Sequence, residues 1–241
     1  MQRYADGPAH DKYDPQPERS LRATIERTLL GRRSAEQSVM SVGGAGPSDP
    51  ADVLAERAGE HARLLSQLQA PESGAQLAAA AATIAESLGG GGTIYFCGNG
   101  GSSADAQHLV AEFVGRYRAD RRPLAAVALG STQAVASALA NDFGYAEAGI
   151  ARELDALARE GDVLVVLSTS GCSPNIIAAL EMARGKGLRT VAMTGLGHQL
   201  GDLADCLIVV DSNVVALIQE IHAVIGHVIC ELVEEQMGFA V

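Results

Sequence analysis

The sequence has few positive charges for its length, and this shortage argues against one large class of function. Its 18 lysine and arginine residues stand against 29 aspartate and glutamate residues, so the formal net charge is -11. Proteins that bind DNA or RNA through the phosphate backbone normally present a basic face. We therefore expect no nucleic-acid partner.

Paired cysteines and long apolar runs are also missing. The four cysteines are widely scattered and show no CxxC spacing, which is typical of free thiols in a reducing compartment. No apolar run approaches the roughly 20 residues that cross a membrane. The first residues, MQRYADGPAHDKYDPQ, are too polar for a secretory signal. These observations predict a soluble cytoplasmic protein with no membrane partner.

Residues 1–49 differ in composition from the rest of the chain. They contain prolines at positions 8, 15, 17 and 47 and end in the Gly/Ser-rich string SVGGAGPSDP. Within them, residues 20–36 have apolar side chains at a spacing of four, as in a short helix. We predict a mobile extension over 1–49 with this possible helix, followed by one folded domain over 50–241.

The folded part begins with two predicted helices. Ser48 and Asp49 can cap the first helix, and Pro71 restarts the apolar periodicity in the second. Four glycines, Gly89 to Gly92, end the second helix. Two helices ahead of the first strand predict either a packing or oligomerisation pair or a simple cover for the sheet.

Short apolar runs then alternate with helical segments. The predicted strands cover 93–97, 125–129, 163–168, 190–194 and 206–210. The predicted helices cover 102–117, 131–140, 145–158, 174–186, 198–203 and 213–237. Because the strands are apolar throughout, both faces of the sheet should be covered. This order predicts an α/β fold with a five-stranded parallel, doubly wound sheet, whose ligands bind beyond the carboxyl ends of the strands.

Two loops at those carboxyl ends carry the groups expected of an anion site. Gly98–Ser103 joins a strand to a helix, but its spacing matches neither GxGxxG nor a P-loop. It is either an anion-binding turn or a tight connection that needs one glycine. Ser168–Ser173 carries four hydroxyls before a helix, where an ordinary N-cap needs only Ser173. Hydroxyls and helix N-terminal amides can hold a phosphate dianion without lysine.

Two predicted helices carry candidate metal or acid–base groups. His108 and Glu112 are four residues apart and share a helical face, although such a pair alone is often a surface pair or a core histidine. Gln219, His222 and His227 lie on the last helix. Gln219 and His227 are eight residues apart, about 12 Å of helical rise. One metal ion could take both only from a distorted first turn or from different subunits. Spacing alone does not choose between the two histidines.

With these segments in place, the chain resembles the sugar isomerase (SIS) superfamily. It is specifically similar to the phosphoheptose isomerases, which interconvert sedoheptulose 7-phosphate and D-glycero-D-manno-heptose 7-phosphate. The strings that carry the resemblance are CGNGGSSADAQH, AEFVGRY, ANDFGY, EGDVLVVLSTSGCSPN, AMTG and IQEIHAVIGHVICELVE. They occur in order across residues 50–241. The pattern STSGxS marks only the superfamily, whereas GNGGSxxDAxH with IQExHxxxxH is more specific.

The resemblance implies an aldose–ketose isomerase that works by enediol proton transfer, as a homotetramer with active sites at subunit contacts. It implies one Zn²⁺ per subunit, and Glu112 and His227 as the acid–base pair. The implied metal ligands are His108, Glu112, Gln219 and His227. The implied contacts to a phosphorylated seven-carbon sugar are Asn99, Gly100, Gly101, Ser102, Arg116, Asn141, Asp142, Ser168, Thr169, Ser170, Ser173 and Gln219.

Two other functions share this fold. A non-catalytic tetrameric SIS binding or assembly protein resembles the enzymes less at the glutamate and final histidine positions, and both Glu112 and His227 are present here. A SIS-type sugar-phosphate sensor usually carries a DNA-binding helix-turn-helix, for which residues 1–49 are too short. The sequence therefore favours the enzyme.

Overall fold

The computed structural model describes residues 49–239, apart from the side chains of 145–148. The extension expected over 1–49, with its possible helix, lies outside these residues except for its last position. The described chain begins with helix α1, Pro50–Gln67, and helix α2, Pro71–Gly89. Both begin at a proline, whose fixed φ suits the first turn and whose missing N–H has no partner there in any helix.

Strands and helices then alternate along the described chain. The strands are β1 (Ile94–Gly98), β2 (Ala126–Ala128), β3 (Val163–Ser168), β4 (Arg189–Thr194) and β5 (Cys206–Val209). The helices are α3 (Gly101–Val114), α4 (Gln133–Phe143), α5 (Tyr145–Leu157), α6 (Pro174–Gly185) and α7 (Val215–Gln236).

The five strands form one parallel sheet in the order β2-β1-β3-β4-β5. The register places Phe96 beside Val165, and Val165 beside Val191. All five residues of β1 and all six of β3 are buried. The prediction of a doubly wound parallel sheet is confirmed, and the strand order reverses between β1 and β3. That reversal makes the carboxyl ends of β1 and β3 the expected ligand edge.

Helices cover both faces of the sheet and form two apolar cores. On one face Ile84 of α2, Leu109 of α3 and Ile225 of α7 pack with Phe96. On the other face Leu154 of α5 and Leu180 of α6 pack with Tyr95 and Leu164. Successive strand residues point to opposite faces, which is why continuous apolar runs are needed here. The helices α3 and α7 therefore lie in the same layer, on the same side of the sheet.

Two expectations about local structure are wrong. Residues 198–203 form turns rather than a helix, and Gly197 before them has φ +76, a conformation that a right-handed helix does not use. Helix α4 also extends to Phe143, three residues beyond the predicted end. Asn141 and Asp142 therefore lie in the last turn of a helix, not in the connection after it.

Helix α7 is long and apolar enough to cross a membrane by length and composition alone, with a mean hydropathy of 1.5 over its best window. Gln219, Glu220 and His222 interrupt this helix, so it is not one continuous apolar run. Its buried side chains pack against the sheet and against α2 and α3. Core helices of globular proteins pass the same test, so the packing explains the composition.

Candidate functional site

The turn after β1 brings the backbone close to the start of α3. A Cβ at Gly98 would lie 2.6 Å from the carbonyl oxygen of Ser102, and Gly100 has a positive φ of 56. The amides of Ser103 and Ala104 donate to the Gly100 carbonyl and close the first turn of the helix. Only glycine at these two positions allows a turn this tight between strand and helix.

A pair of side-chain amides ties this turn to the neighbouring helix α6. Asn99 Nδ2 donates to Asn175 Oδ1 at 3.0 Å, and Asn175 Nδ2 donates to Asn99 Oδ1 at 2.8 Å. Asn175 is buried, in the first turn of α6. The pair joins the carboxyl ends of β1 and β3 at the point where the strand order reverses, and so fixes the loops on which a ligand would rest.

The hydroxyl-rich loop after β3 has its own internal support. Ser168 is buried, and its Oγ accepts the amide of Gly171 at 3.1 Å. Gly171 has φ +58, and a Cβ there would lie 2.4 Å from the Cβ of His198. Ser173 sits at the N-cap of α6 but makes no side-chain capping bond. The simple capping explanation for Ser173 therefore does not apply. Its carbonyl accepts the amides of Ile176 and Ile177, while its hydroxyl makes no capping bond and is available to a ligand.

Three candidate metal or acid–base groups converge where α3 meets α7. One ligand atom each from His108, Glu112 and His227 lies within 4.8 Å of the other two. The Nε2 atoms of the two histidines are 2.8 Å apart, and His108 Nε2 is 3.6 Å from Glu112 Oε1. Half of the His108 side chain is exposed, so a small molecule can reach the cluster. Two imidazole nitrogens and one carboxylate oxygen are a donor set suited to Zn²⁺.

Close packing of the two helices brings these side chains together. A Cβ at Gly226 of α7 would lie 2.5 Å from Leu109 Cδ2 of α3, so the helices approach at this level only because Gly226 has no side chain. His227 is the next residue, and its ring stacks on that of Tyr117 with centroids 5.3 Å apart. The neighbours of the cluster therefore fix both the helix spacing and the orientation of the His227 ring.

The other polar residues of α7 lie elsewhere. A Cβ at Gly101 would lie 2.5 Å from Gln219 Nε2, which puts the Gln219 carboxamide at the start of α3. His108 is seven residues further along that helix, about 10 Å of rise. Gln219 occupies the second turn of a regular helix, so no distorted first turn brings it to His227. His222 is fully buried, and burial lowers the pKa of its imidazole to about 4.

Three further sequence candidates are exposed. Arg116 lies just beyond the end of α3. Asn141 and Asp142 lie in the last turn of α4, where the Asn141 amide donates to the Asp142 carboxylate at 2.8 Å. Among residues 49–239, none of these three forms a hydrogen bond to the His108–Glu112–His227 cluster.

A cavity of about 320 Å³ opens beside the turn after β1. Asn99 and Gly100 line it on one side, and apolar residues of α4 and α5 line it on the other. Ser103, which also lines the cavity, belongs to the predicted anion-binding turn, whereas the sequence analysis assigned no role to two other polar lining residues, Glu153 and Asn175. The sequence pattern could have identified Asn175, because it follows Pro174 in the string STSGCSPN. Nothing local distinguishes Glu153, whose carboxylate accepts the Gly130 amide at 2.7 Å.

Known proteins resemble this chain in both sequence and fold. A profile described as "SIS domain" matches residues 58–195. A protein named phosphoheptose isomerase from Solidesulfovibrio magneticus is 48% identical over 163 residues, which cover 68% of this chain and 79% of that protein.

Two solved structures are similar over the whole of their own length. Phosphoheptose isomerase from Neisseria gonorrhoeae matches with a TM-score of 0.71 and 33% identity, covering 78% of this chain and 100% of that one. A phosphoheptose isomerase from Francisella tularensis matches with a TM-score of 0.71 and 31% identity, with the same coverage.

Proposed function

Because the chain belongs to the phosphoheptose isomerases of the SIS domain family, we propose that it converts sedoheptulose 7-phosphate to D-glycero-D-manno-heptose 7-phosphate. The observation that carries the proposal is the convergence of His108, Glu112 and His227 from two helices. A carboxylate beside imidazoles supplies the proton transfers that an aldose–ketose isomerisation requires.

The phosphate of the sugar would bind at the loop after β3. The residues that carry the hydroxyls of this loop, Ser168, Thr169, Ser170 and Ser173, directly precede the N-terminus of α6, whose dipole favours an anion. Arg116 would add a positive charge. Binding energy at this end of the sugar positions the reacting end, which carries C1 and C2.

Further contacts would hold the rest of the sugar. In the turn after β1 and at the start of α3, the residues that would contact the sugar are Asn99, Gly100, Gly101 and Ser102. Gln219 supports this assignment because its carboxamide lies against Gly101. Asn141 and Asp142 on α4 would complete the set.

Proton transfer would be the work of Glu112 and His227. One carboxylate oxygen of Glu112 takes the proton from C1 of the ketose and returns it to C2 of the enediol. The His227 imidazole gives a proton to the oxygen on C2 and removes one from the oxygen on C1, so the atoms balance. The stacked Tyr117 ring holds the His227 imidazole in one plane for both transfers.

The same residues fit a divalent metal ion, and we propose one Zn²⁺ per subunit. His108, Glu112 and His227 would hold the ion, whose positive charge stabilises oxygen atoms that become negative during the reaction. In this chain Gln219 lies about two helical turns away, so Gln219 as a fourth ligand would come from a neighbouring subunit. That arrangement agrees with a homotetramer whose active sites lie at subunit contacts.

Exposed apolar side chains support the proposed assembly. Val53 of α1 and Val214, just before α7, line one surface groove and are both about half exposed. Val224 and Val228 are also exposed on α7, on either side of His227 along the chain. A neighbouring subunit over Val224 and Val228 would bury them and shield the site from water. We place this tetramer in the cytoplasm.

An assay of the purified protein against ketose and aldose phosphates tests the function and the metal together. We expect conversion of sedoheptulose 7-phosphate, one zinc per subunit by elemental analysis, and loss of activity in chelator that returns with Zn²⁺. Full activity in chelator from metal-free protein would remove zinc from the mechanism. Folded, metal-loaded protein without turnover on any substrate would instead favour the non-catalytic binding protein.

Removing residues 1–48 should leave the enzyme intact. We propose that residues 50–241 form the catalytic domain, because the match to the family profile and the His108–Glu112–His227 cluster both lie within them. The truncated protein should keep the tetrameric mass of the full chain in mass photometry and its kcat within about two-fold, since the family profile begins only at residue 58. A truncated protein that dissociates would show that the extension belongs to the assembly.

A further inference from the structure

The carboxyl end of α3 is held by the side chain of Arg121. Its Nη2 donates to the backbone carbonyl of Glu112 at 2.8 Å, and its Nη1 donates to that of Phe113 at 2.9 Å. These carbonyls are among the last four of α3, which have no partner within the helix. The guanidinium also places a positive charge at the negative end of the helix dipole. Arg121 therefore grips the backbone of the residue that carries the proposed base.

Arg121 is itself held by Glu234 of α7. Its Nε donates to Glu234 Oε1 at 2.7 Å, and only 2% of the Arg121 side chain and 1% of the Glu234 side chain are exposed. The amides of Tyr117, Arg118 and Ala119 also donate to the Glu234 carboxylate, at 2.9–3.2 Å. Burial alone would raise the pKa of Glu234. These hydrogen bonds outweigh burial, so the pKa lies below its usual value and the carboxylate stays ionised.

Both ends of this network lead to the reacting groups. Through Arg121 it reaches the backbone of Glu112. Through the amide of Tyr117 it reaches the ring that stacks on His227. Glu234 follows His227 by seven residues, which places the two on nearly the same face of α7 about 10 Å apart. One buried ion pair thus connects the helix that carries Glu112 with the helix that carries His227.

We infer that Arg121 and Glu234 are positioning residues of the isomerase, which set the distance and orientation between the Glu112 carboxylate and the His227 imidazole. The inference rests on the proposed function. Neither residue belongs to the proposed metal ligands or sugar contacts. A buried ion pair need not be required for stability, because well-packed apolar groups often replace one at little cost. The Arg121–Glu234 pair contacts the backbone of Glu112 and the amide of Tyr117, whose ring stacks on His227. This placement gives the pair a specific role.

Two substitutions separate positioning from general stability. Glu234→Gln keeps the size and some hydrogen bonds but removes the charge opposite Arg121. Arg121→Lys keeps the charge but loses the planar fork that spans two carbonyls. The matched control is Asp162→Asn, because Asp162 is also buried and accepts two backbone amides, those of Thr93 and Arg159, both at 2.8 Å. It lies at the amino ends of the strands, away from the ligand edge.

For each variant we would measure kcat, the Zn²⁺ affinity by competition with a chromophoric chelator, and the urea midpoint of unfolding. Glu234→Gln and Arg121→Lys should each lose ~10-fold or more in kcat and in Zn²⁺ affinity, the scale seen when a group that orients a metal ligand is removed. Asp162→Asn should lower the urea midpoint while kcat and Zn²⁺ affinity stay within about two-fold of wild type.

The outcomes keep this inference apart from the proposed function. If both variants fold and keep kcat and Zn²⁺ affinity at the level of Asp162→Asn, the pair is structural only and the inference is wrong. If Glu234→Gln does not fold, Arg121→Lys decides, because it leaves Glu234 with a cation. If wild type shows no turnover, the isomerase proposal fails, whereas the ranking of Zn²⁺ affinities still tests whether the pair positions Glu112 and His227.

Discussion

Glu112→Gln is expected to leave a folded protein that has lost turnover by at least ~100-fold, the scale of a missing general base. Glutamine matches glutamate in size but cannot accept the proton from the sugar carbon. Of the three converging groups, only Glu112 offers a carboxylate, so neither histidine replaces it. Because the Glu112 side chain is partly exposed, the protein can fold without its charge.

The measurements for this variant are steady-state kinetics with sedoheptulose 7-phosphate and the native mass. The control is Glu231→Gln, which removes a carboxylate of α7 that pairs with Arg118 at the surface. It should keep kcat within about two-fold, because an exposed ion pair contributes little to stability. If Glu112→Gln retained more than a tenth of wild-type kcat, Glu112 would not be the base.

Gly226→Ala should damage the site by adding a single methyl group between α3 and α7. Alanine normally favours a helix over glycine by about 0.8–1.0 kcal/mol. Here the new Cβ would lie 2.5 Å from Leu109 Cδ2, in a core where Leu109 is 2% exposed. Forced overpacking typically costs about 1–3 kcal/mol. We therefore expect a net loss of unfolding free energy, with α7 pushed away from α3.

That displacement should also reach the chemistry, because His227 is the next residue. A shift of about 1 Å in a reacting group can cost up to ~100-fold in rate, and we expect kcat to fall by ~10-fold or more. The matched control is Gly59→Ala in α1, where no atom lies within 4 Å of the new Cβ. The control should gain stability at unchanged kcat. If both variants gained the same unfolding free energy, the contact between α3 and α7 would not be tight.

Helical periodicity and continuous apolar runs were enough to place most elements of this fold. The continuous apolar runs gave β3 its bounds, and the Pro71 and Pro174 starts gave two helices theirs. The failures fell where tertiary contacts or glycine conformation decide, as in the turns over 198–203. The role of the hydroxyl-rich loop could also be predicted from the sequence, because ligands bind at the carboxyl ends of parallel strands.

The sequence by itself determined which chemical groups were available. A spacing of four puts His108 and Glu112 on one face of a helix whatever surrounds it. Ser168–Ser173 offers hydroxyls wherever a strand ends and a helix begins. These are local consequences of backbone geometry, and distant parts of the chain do not alter them.

Only the tertiary structure decided which distant groups meet. His222 and His227 differ by five residues, about 140° of helical rotation, and the rotational setting of α7 buries the first and turns the second toward α3. That setting depends on the contact between Gly226 and Leu109 and on the ion pair of Arg121 with Glu234, two residues 113 positions apart. Contacts across such distances arise from packing, which no local pattern encodes.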